Sequence, residues 1–185
     1  MVSVVLRGQN TMLIPASYVH EFPFIPGGGL FFLPIGAGIL LGALIRPFRM
    51  TLVWLGLALG IAAIVLGGKY LRGLPPPTTL QIAFFAAAII AEVIAFRLIM
   101  PRVRPLGERP LLLASLAIVG AHFLIMIPTF GLPIMALGLL CLANAGMAWR
   151  APSYPISAAW FVDGLFKVGI GLVMLLASPV FMGKY

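Results

Sequence analysis

Charged residues are scarce in this sequence. Only 9% of its 185 residues are Asp, Glu, Lys or Arg, and only four of them are acidic. A soluble domain needs about a quarter of its residues charged to keep its surface in water. Most of the outer surface is therefore predicted to face lipid rather than water.

Cysteine is nearly absent as well. Cys141 is the single cysteine, and it lies inside an apolar run. An intrachain disulfide and a cysteine cluster for a metal ion are therefore excluded. The net charge of +8 would suggest nucleic acid as the partner of a soluble protein. Here the basic residues lie in short segments between apolar runs, which indicates contact with anionic lipid headgroups instead. The lipid bilayer is the predicted partner, and nucleic acid is not.

Long apolar runs make up most of the chain, which is 62% hydrophobic with a mean hydropathy of +1.16. Runs of this length span a hydrocarbon core of about 30 Å at about 1.5 Å per helical residue. Helices are favoured over strands, because lipid offers no water to satisfy free backbone groups. The sequence predicts an all-α polytopic transmembrane bundle of about six helices, over residues 29–45, 51–68, 81–100, 111–127, 133–149 and 157–180.

The domain division and the orientation follow from these runs. Residues 1–28 are predicted to form an extramembrane or interfacial segment, and residues 29–181 a single transmembrane domain. One predicted side carries seven basic residues: Arg46, Arg49, Arg97, Arg102, Arg104, Arg109 and Arg150. The other side carries Arg7, Lys69, Arg72 and Lys184. Because cytoplasmic loops are enriched in Lys and Arg, we predict a multi-pass protein of the cell membrane with both termini on the extracytoplasmic side.

Small residues four apart indicate where helices approach closely. Gly38 and Gly42 form one GxxxG pattern, and Gly56 and Gly60 form a second. Lipid supplies no hydrophobic drive for helices to associate, so close backbone packing takes its place. Packing inside the bundle is the preferred interpretation, and a dimer interface is the alternative.

Five strongly polar side chains interrupt the runs away from their ends: Glu92, His122, Asn144, Asp163 and Lys167. A charge at the centre of a transmembrane helix costs about 2.5–3.5 kcal/mol on insertion scales. Each side chain is therefore expected to face the bundle interior and to find a partner. Counting about 1.5 Å per residue places all five in one layer near the midplane, on four helices.

The spacing within this layer predicts one ion pair. Asp163 and Lys167 are four residues apart and share a helix face, so they are expected to pair. Glu92 and Arg97 are five residues apart and point in different directions, so these two residues are not expected to pair with each other. If Arg97 is counted, two negative and two positive charges could cancel within the bundle. His122 would then be the titratable member of the layer.

This layer supports three hypotheses of function. The first is binding or translocation of a small polar molecule or ion, with Glu92 and His122 handling protons. Asp163 and Lys167 would then hold ligand charge or gate by exchanging partners. The second is a structural or assembly subunit, whose polar residues only lock helix packing. The third is an intramembrane hydrolase. No catalytic residue, metal ligand or cofactor is predicted, and a membrane protein partner or a second copy is left open.

Two family resemblances bear on the fold. The stretch Val119-Gly120-Ala121-His122-Phe123-Leu124, with Asn144 and then Asp163-Gly164-Leu165-Phe166-Lys167, resembles a family of small uncharacterised bacterial six-helix membrane proteins. This resemblance implies the fold and the membrane location but no activity. Size, helix number and basic charge also resemble the S-components of energy-coupling-factor vitamin transporters. Their last helix often bears an Asp near a Lys, although usually at a spacing of three.

The hydrolase hypothesis depends on a third resemblance. Glu92-Val-Ile-Ala-Phe-Arg97 is similar to the Glu-Glu-x-x-x-Arg helix of intramembrane CAAX-type proteases, with His122 and Asn144 on later helices. Val93 replaces the second glutamate of that motif, which removes one of its two carboxylates.

Overall fold

The computed structural model describes residues 15–67 and 74–176. The first part of the predicted 1–28 segment and the end of the predicted 29–181 domain lie outside the described residues. So do Arg7, Lys69, Arg72 and Lys184, the four basic residues of the predicted extracytoplasmic side.

Helices account for all the regular structure in the described ranges, in which no strand occurs. Six helices are long and apolar enough to cross a membrane: α2, α3, α4, α5, α7 and α8. The prediction of an all-α bundle of about six transmembrane helices is confirmed. The elements are α1 (Ala16–Glu21), α2 (Ile25–Leu44), α3 (Arg49–Gly67), α4 (Thr79–Val103), α5 (Glu108–Ile125), α6 (Ile127–Phe130), α7 (Leu132–Arg150) and α8 (Ile156–Leu176).

Prolines shift some helix boundaries from those predicted. Helix α2 begins at Ile25 rather than at residue 29, with Pro26 in its first turn, where a missing N–H costs little. Helix α4 continues through Pro101 to Val103, although a loop was predicted from Pro101. Proline is tolerated in membrane helices because neighbouring groups satisfy the freed carbonyls. Between the fourth and fifth spanning helices, the short helix α6 (Ile127–Phe130) is followed by Gly131, whose φ is +69°.

The six spanning helices follow the lateral order α3, α2, α8, α7, α5, α4. The most extensive contacts join α2 to α8 and α2 to α3, and α7 links α8 to α5. Helices α3 and α4 form the two edges, and each packs mainly on one neighbouring spanning helix. Most of their side chains are exposed, as expected of apolar surface that faces lipid.

Glycines allow α2 to approach α3 and α8 on two different faces. A Cβ added to Gly56 of α3 would lie 2.7 Å from the Pro34 carbonyl oxygen and 3.3 Å from the Gly38 Cα. On the other face, a Cβ added to Gly36 would lie 3.0 Å from the Gly164 carbonyl oxygen of α8. The interpretation of the GxxxG patterns as internal packing is confirmed, because the α2 and α3 patterns face each other.

Hydrogen bonds tie the helix ends together on both sides of the bundle. At the arginine-rich end, the Arg109 guanidinium donates to the carbonyl oxygens of Ala148, Ala151 and Tyr154, at 2.5, 3.0 and 2.8 Å. At the opposite end, the Gln81 amide donates to the Glu21 carbonyl oxygen at 2.8 Å. These contacts fix the rotation of α4, α5 and α7, which carry most of the polar layer.

Candidate functional site

Helix α8 carries the ion pair of the layer. The Lys167 ammonium donates to the Asp163 carboxylate, and both side chains are buried, with exposed fractions of 2% and 1%. Their spacing puts both on one helix face, so the predicted pair is confirmed. From α7, the Cys141 sulfur lies 3.8 Å from the Lys167 Nζ. The ammonium is therefore enclosed between α7 and α8.

A second charged pair joins α4 to α5. The Glu92 Oε2 lies 3.7 Å from the His122 Nε2, within ion-pair distance but longer than a good hydrogen bond. The His122 side chain is buried, whereas the Glu92 side chain retains an exposed fraction of 25%. Glu92 is therefore the most accessible of the five predicted site residues.

The Phe123 ring contacts both pairs. It lies 4.3 Å from the His122 ring, centroid to centroid, and 5.6 Å below the Lys167 Nζ. The two pairs are thus separate in their contacts, with one aromatic ring beside both of them.

Asn144 is held apart from the charged pairs. Its Nδ2 donates to the Ala159 carbonyl oxygen of α8 at 2.7 Å. Its Oδ1 is buried and has no hydrogen-bond partner among the described residues, and the same is true of the Asp163 Oδ1, the Trp160 Nε1 and the His122 Nδ1. Buried polar atoms normally have a partner. These four atoms are therefore unsatisfied polar groups inside the described bundle.

Arg97 does not belong to the layer. Its side chain is exposed, and it forms no ion pair in the part of the chain that the structure describes. The expectation that Arg97 cancels a charge within the bundle is wrong, because its position on α4 directs it outward, where a long side chain reaches the headgroups. Without Arg97, Lys167 supplies the one ammonium group among the five predicted site residues, beside the carboxyl groups of Glu92 and Asp163 and the imidazole of His122.

The most pronounced pockets of the described residues lie away from the layer. One is a groove of about 640 Å³ along the outer face of α7. The other is a hollow of about 280 Å³ between Pro23, Phe24 and residues 74–77. Neither is lined by any of the five predicted site residues, so the side chains meet mainly by closing on partners.

Three residues of the site were not predicted as part of it: Cys141, Phe123 and Trp160. Helical spacing could have found two of them. Cys141 lies three residues before Asn144, and Trp160 lies three residues before Asp163, so each shares a face with a predicted residue. Phe123 follows His122 directly and offers no such signal, because adjacent residues point in different directions.

Six apolar helices enclosing buried charges define an integral, multi-pass membrane protein. The sequence matches the family of unknown function DUF6609 over residues 18–181, and the chain belongs to this family. The match agrees with the resemblance to an uncharacterised family, whereas a relation to energy-coupling-factor S-components is not shown. No curated protein and no solved structure matches the chain.

Proposed function

We propose that this protein binds and translocates a small cation, in the simplest case the proton, at the layer formed by Glu92, His122, Asn144, Asp163 and Lys167. One observation carries the proposal: the layer holds two carboxyl groups, of which Asp163 pairs with the Lys167 ammonium and Glu92 faces the His122 imidazole. A net charge inside a membrane is costly. Uptake of one proton or monovalent cation at the Glu92–His122 pair would make the layer neutral.

The exposure of Glu92 and the position of His122 support a path for the proton. Glu92 is proposed as the first proton acceptor, because it is the least enclosed member of the layer, with an exposed fraction of 25%. The His122 Nε2 faces Glu92, and its buried Nδ1 has no partner among the described residues. An imidazole with one nitrogen on a carboxylate and the other free can pass a proton from one side to the other.

The Asp163–Lys167 pair is proposed to respond to that proton. Lys167 pairs with Asp163, and Glu92 is the other carboxyl group of the layer. When Glu92 is ionised, it attracts the ammonium, and when Glu92 is protonated, this attraction ends. Movement of Lys167 between two carboxylates would therefore couple proton binding to a change on α8.

The closed packing favours a small ion over a larger solute. Within the layer, Lys167 closes on Asp163 and the Asn144 amide closes on the Ala159 carbonyl oxygen. A proton needs no cavity, and a chain of hydrogen-bonded groups and water is enough for it. Asn144 and Trp160 contribute unpaired buried atoms that can hold such a water.

Proton flux into vesicles tests the proposal directly. The purified protein is reconstituted into liposomes that contain a pH-sensitive dye, and a potassium diffusion potential drives protons inward. We expect acidification well above that of protein-free vesicles, and its loss in Glu92→Gln. Glu21→Gln is the matched control, because Glu21 is exposed and its hydrogen bond to Gln81 uses only the backbone oxygen. Wild-type vesicles no faster than empty ones would contradict proton translocation.

The structural hypothesis is the second candidate, and the closed Asp163–Lys167 pair favours it. Both side chains are almost fully buried, as in a contact that fixes helix register. If locking is the only role, substitutions in the layer will change the unfolding free energy, and no flux will be detected in the wild type. The same vesicles therefore separate the two hypotheses.

The intramembrane hydrolase is the third hypothesis. The Glu92–His122 contact supports it, because a carboxylate beside an imidazole can activate a water molecule. The position of Asn144 does not support a hydrolase, because its amide donates to a backbone carbonyl of α8 and is not directed at the Glu92–His122 pair. Cleavage of membrane peptides that is lost in Glu92→Gln would favour a hydrolase over a proton pathway.

A further inference from the structure

The outer face of α7 forms an open apolar groove, separate from the polar layer. Its volume is about 640 Å³, and its lining includes Leu139, Leu142, Ala143, Gly146, Met147 and Arg150. Small residues make the floor: Ala143 is exposed, and a Cβ added to Gly146 would meet nothing within 4 Å. All the lining residues belong to α7, so the groove is a shallow, open apolar depression along the outer face of this one helix.

The length of the groove corresponds to one leaflet of a bilayer. From Leu139 to Arg150 the helix rises about 16 Å at 1.5 Å per residue. The hydrocarbon core is about 30 Å thick, so the groove covers about the depth of one layer of acyl chains. It ends at Trp149 and Arg150, residue types that commonly sit at the level of the headgroups.

The chemistry of the groove changes at this end from apolar to cationic. Arg150 is exposed and forms no ion pair with the residues that the structure describes. Exposed arginines Arg46, Arg102 and Arg104 lie on the same end of the bundle. We propose that the groove binds an anionic phospholipid, with an acyl chain along Ala143 and Gly146 and the phosphate on Arg150.

The same charge disfavours a second copy of the chain as the occupant. Two copies related by an axis along the membrane normal would place α7 against α7 in parallel. Their Arg150 side chains would then meet at one level, and like charges at close range repel each other. A phosphate brings the opposite charge to the same position.

Quenching by brominated lipid measures occupancy at the groove. A Trp54→Phe background leaves Trp149 as the exposed tryptophan, since Trp160 is buried. In reconstituted protein we expect dibromo-phosphatidylglycerol to reach half-maximal quenching at an about fivefold lower mole fraction than dibromo-phosphatidylcholine. This is the preference that one arginine near an anionic lipid confers.

Two substitutions in the same background test the groove, and each has a matched control. Gly146→Leu fills the floor without meeting a neighbour, and Gly169→Leu does the same at an equally open glycine of α8. Arg150→Gln removes the charge, and Arg104→Gln removes an exposed arginine at the same end. The measured ratio is the mole fraction of phosphatidylcholine that gives half-maximal quenching, divided by that of phosphatidylglycerol. We expect this ratio to fall towards one in Gly146→Leu and Arg150→Gln, and to stay near five in both controls.

Three results would overturn the proposal. Equal quenching by the two lipids in the wild type would show an ordinary lipid annulus. An equal fall of the ratio in Arg104→Gln would show attraction by the whole basic end rather than a site. A dimer that Gly146→Leu dissociates would show that a second copy occupies the groove. None of these measurements depends on proton flux, so the proposal stands or falls separately from the proposed function.

Discussion

The Lys167 ammonium is buried against the Asp163 carboxylate one turn earlier on α8, with Cys141 and Phe123 packed around it. Two opposite charges can be buried in this way because each compensates the other. Removing one partner leaves an uncompensated buried charge, whereas removing both leaves none.

Single substitutions in this pair are therefore expected to cost more than the double substitution. Lys167→Met should lower the free energy of unfolding by about 3–5 kcal/mol, because it leaves Asp163 charged and buried. The Asp163→Asn, Lys167→Met double variant should recover much of that loss. Equilibrium unfolding in a detergent–denaturant series measures the wild type, the Lys167→Met and Asp163→Asn single variants, and the double variant. A double variant as unstable as the sum of both singles would show that the pair is not coupled.

The α2–α3 contact predicts a steep cost for a larger residue at Gly56. A Cβ there would lie 2.7 Å from the Pro34 carbonyl oxygen, so a side chain must push the two backbones apart. Gly56→Leu should lower the free energy of unfolding by about 1–3 kcal/mol, the range for overpacking. Gly146→Leu is the control, because its Cβ meets nothing within 4 Å. Equal stability of the two variants would contradict the contact.

Arg109 is expected to hold the α7–α8 connection in place. Its guanidinium donates to three backbone carbonyls, and a hydrogen bond that involves a charged group makes a net contribution of about 1.5–3 kcal/mol. Arg109→Gln should lower the midpoint of thermal unfolding and speed proteolysis at residues 151–155. Arg104→Gln, an exposed arginine nearby, should do neither. Unchanged proteolysis in Arg109→Gln would mean that the connection is held by other contacts.

The excess of arginine at one end predicts the orientation. Pro76 and Arg104 are exposed at opposite ends of the bundle, and the single native cysteine, Cys141, is buried. A membrane-impermeant maleimide should label Pro76→Cys on intact cells, and Arg104→Cys only after the membrane is permeabilised. Wild-type protein gives the background from Cys141. The reverse labelling pattern would place both termini in the cytoplasm.

Local features of the sequence were enough to predict much of the fold. Apolar runs of membrane-spanning length predicted the six helices, because lipid forces the backbone to satisfy its own hydrogen bonds. Helical spacing predicted the Asp163–Lys167 pair, since both residues lie on one helix and need no knowledge of its neighbours. The GxxxG patterns likewise predicted close packing, although not which helices would meet.

The candidate site could be predicted only in part. Its five residues stand out because polar groups in lipid are rare, and their depth follows from counting along each helix. Their partners do not follow from such counting. The contact between Glu92 and His122 requires α4 to lie beside α5, and the outward position of Arg97 depends on the rotation of α4.

The sequence by itself was enough to predict about six membrane-spanning helices and five polar side chains within them. Only the tertiary structure decided which of these side chains meet, that Cys141 and Phe123 join them, and that α7 presents a groove ending at Arg150. The physical reason is that these helices are apolar on nearly every side, so the sequence does not indicate which face of each helix packs against its neighbours. Their rotation and their neighbours are set by glycine contacts and buried charges from distant parts of the chain.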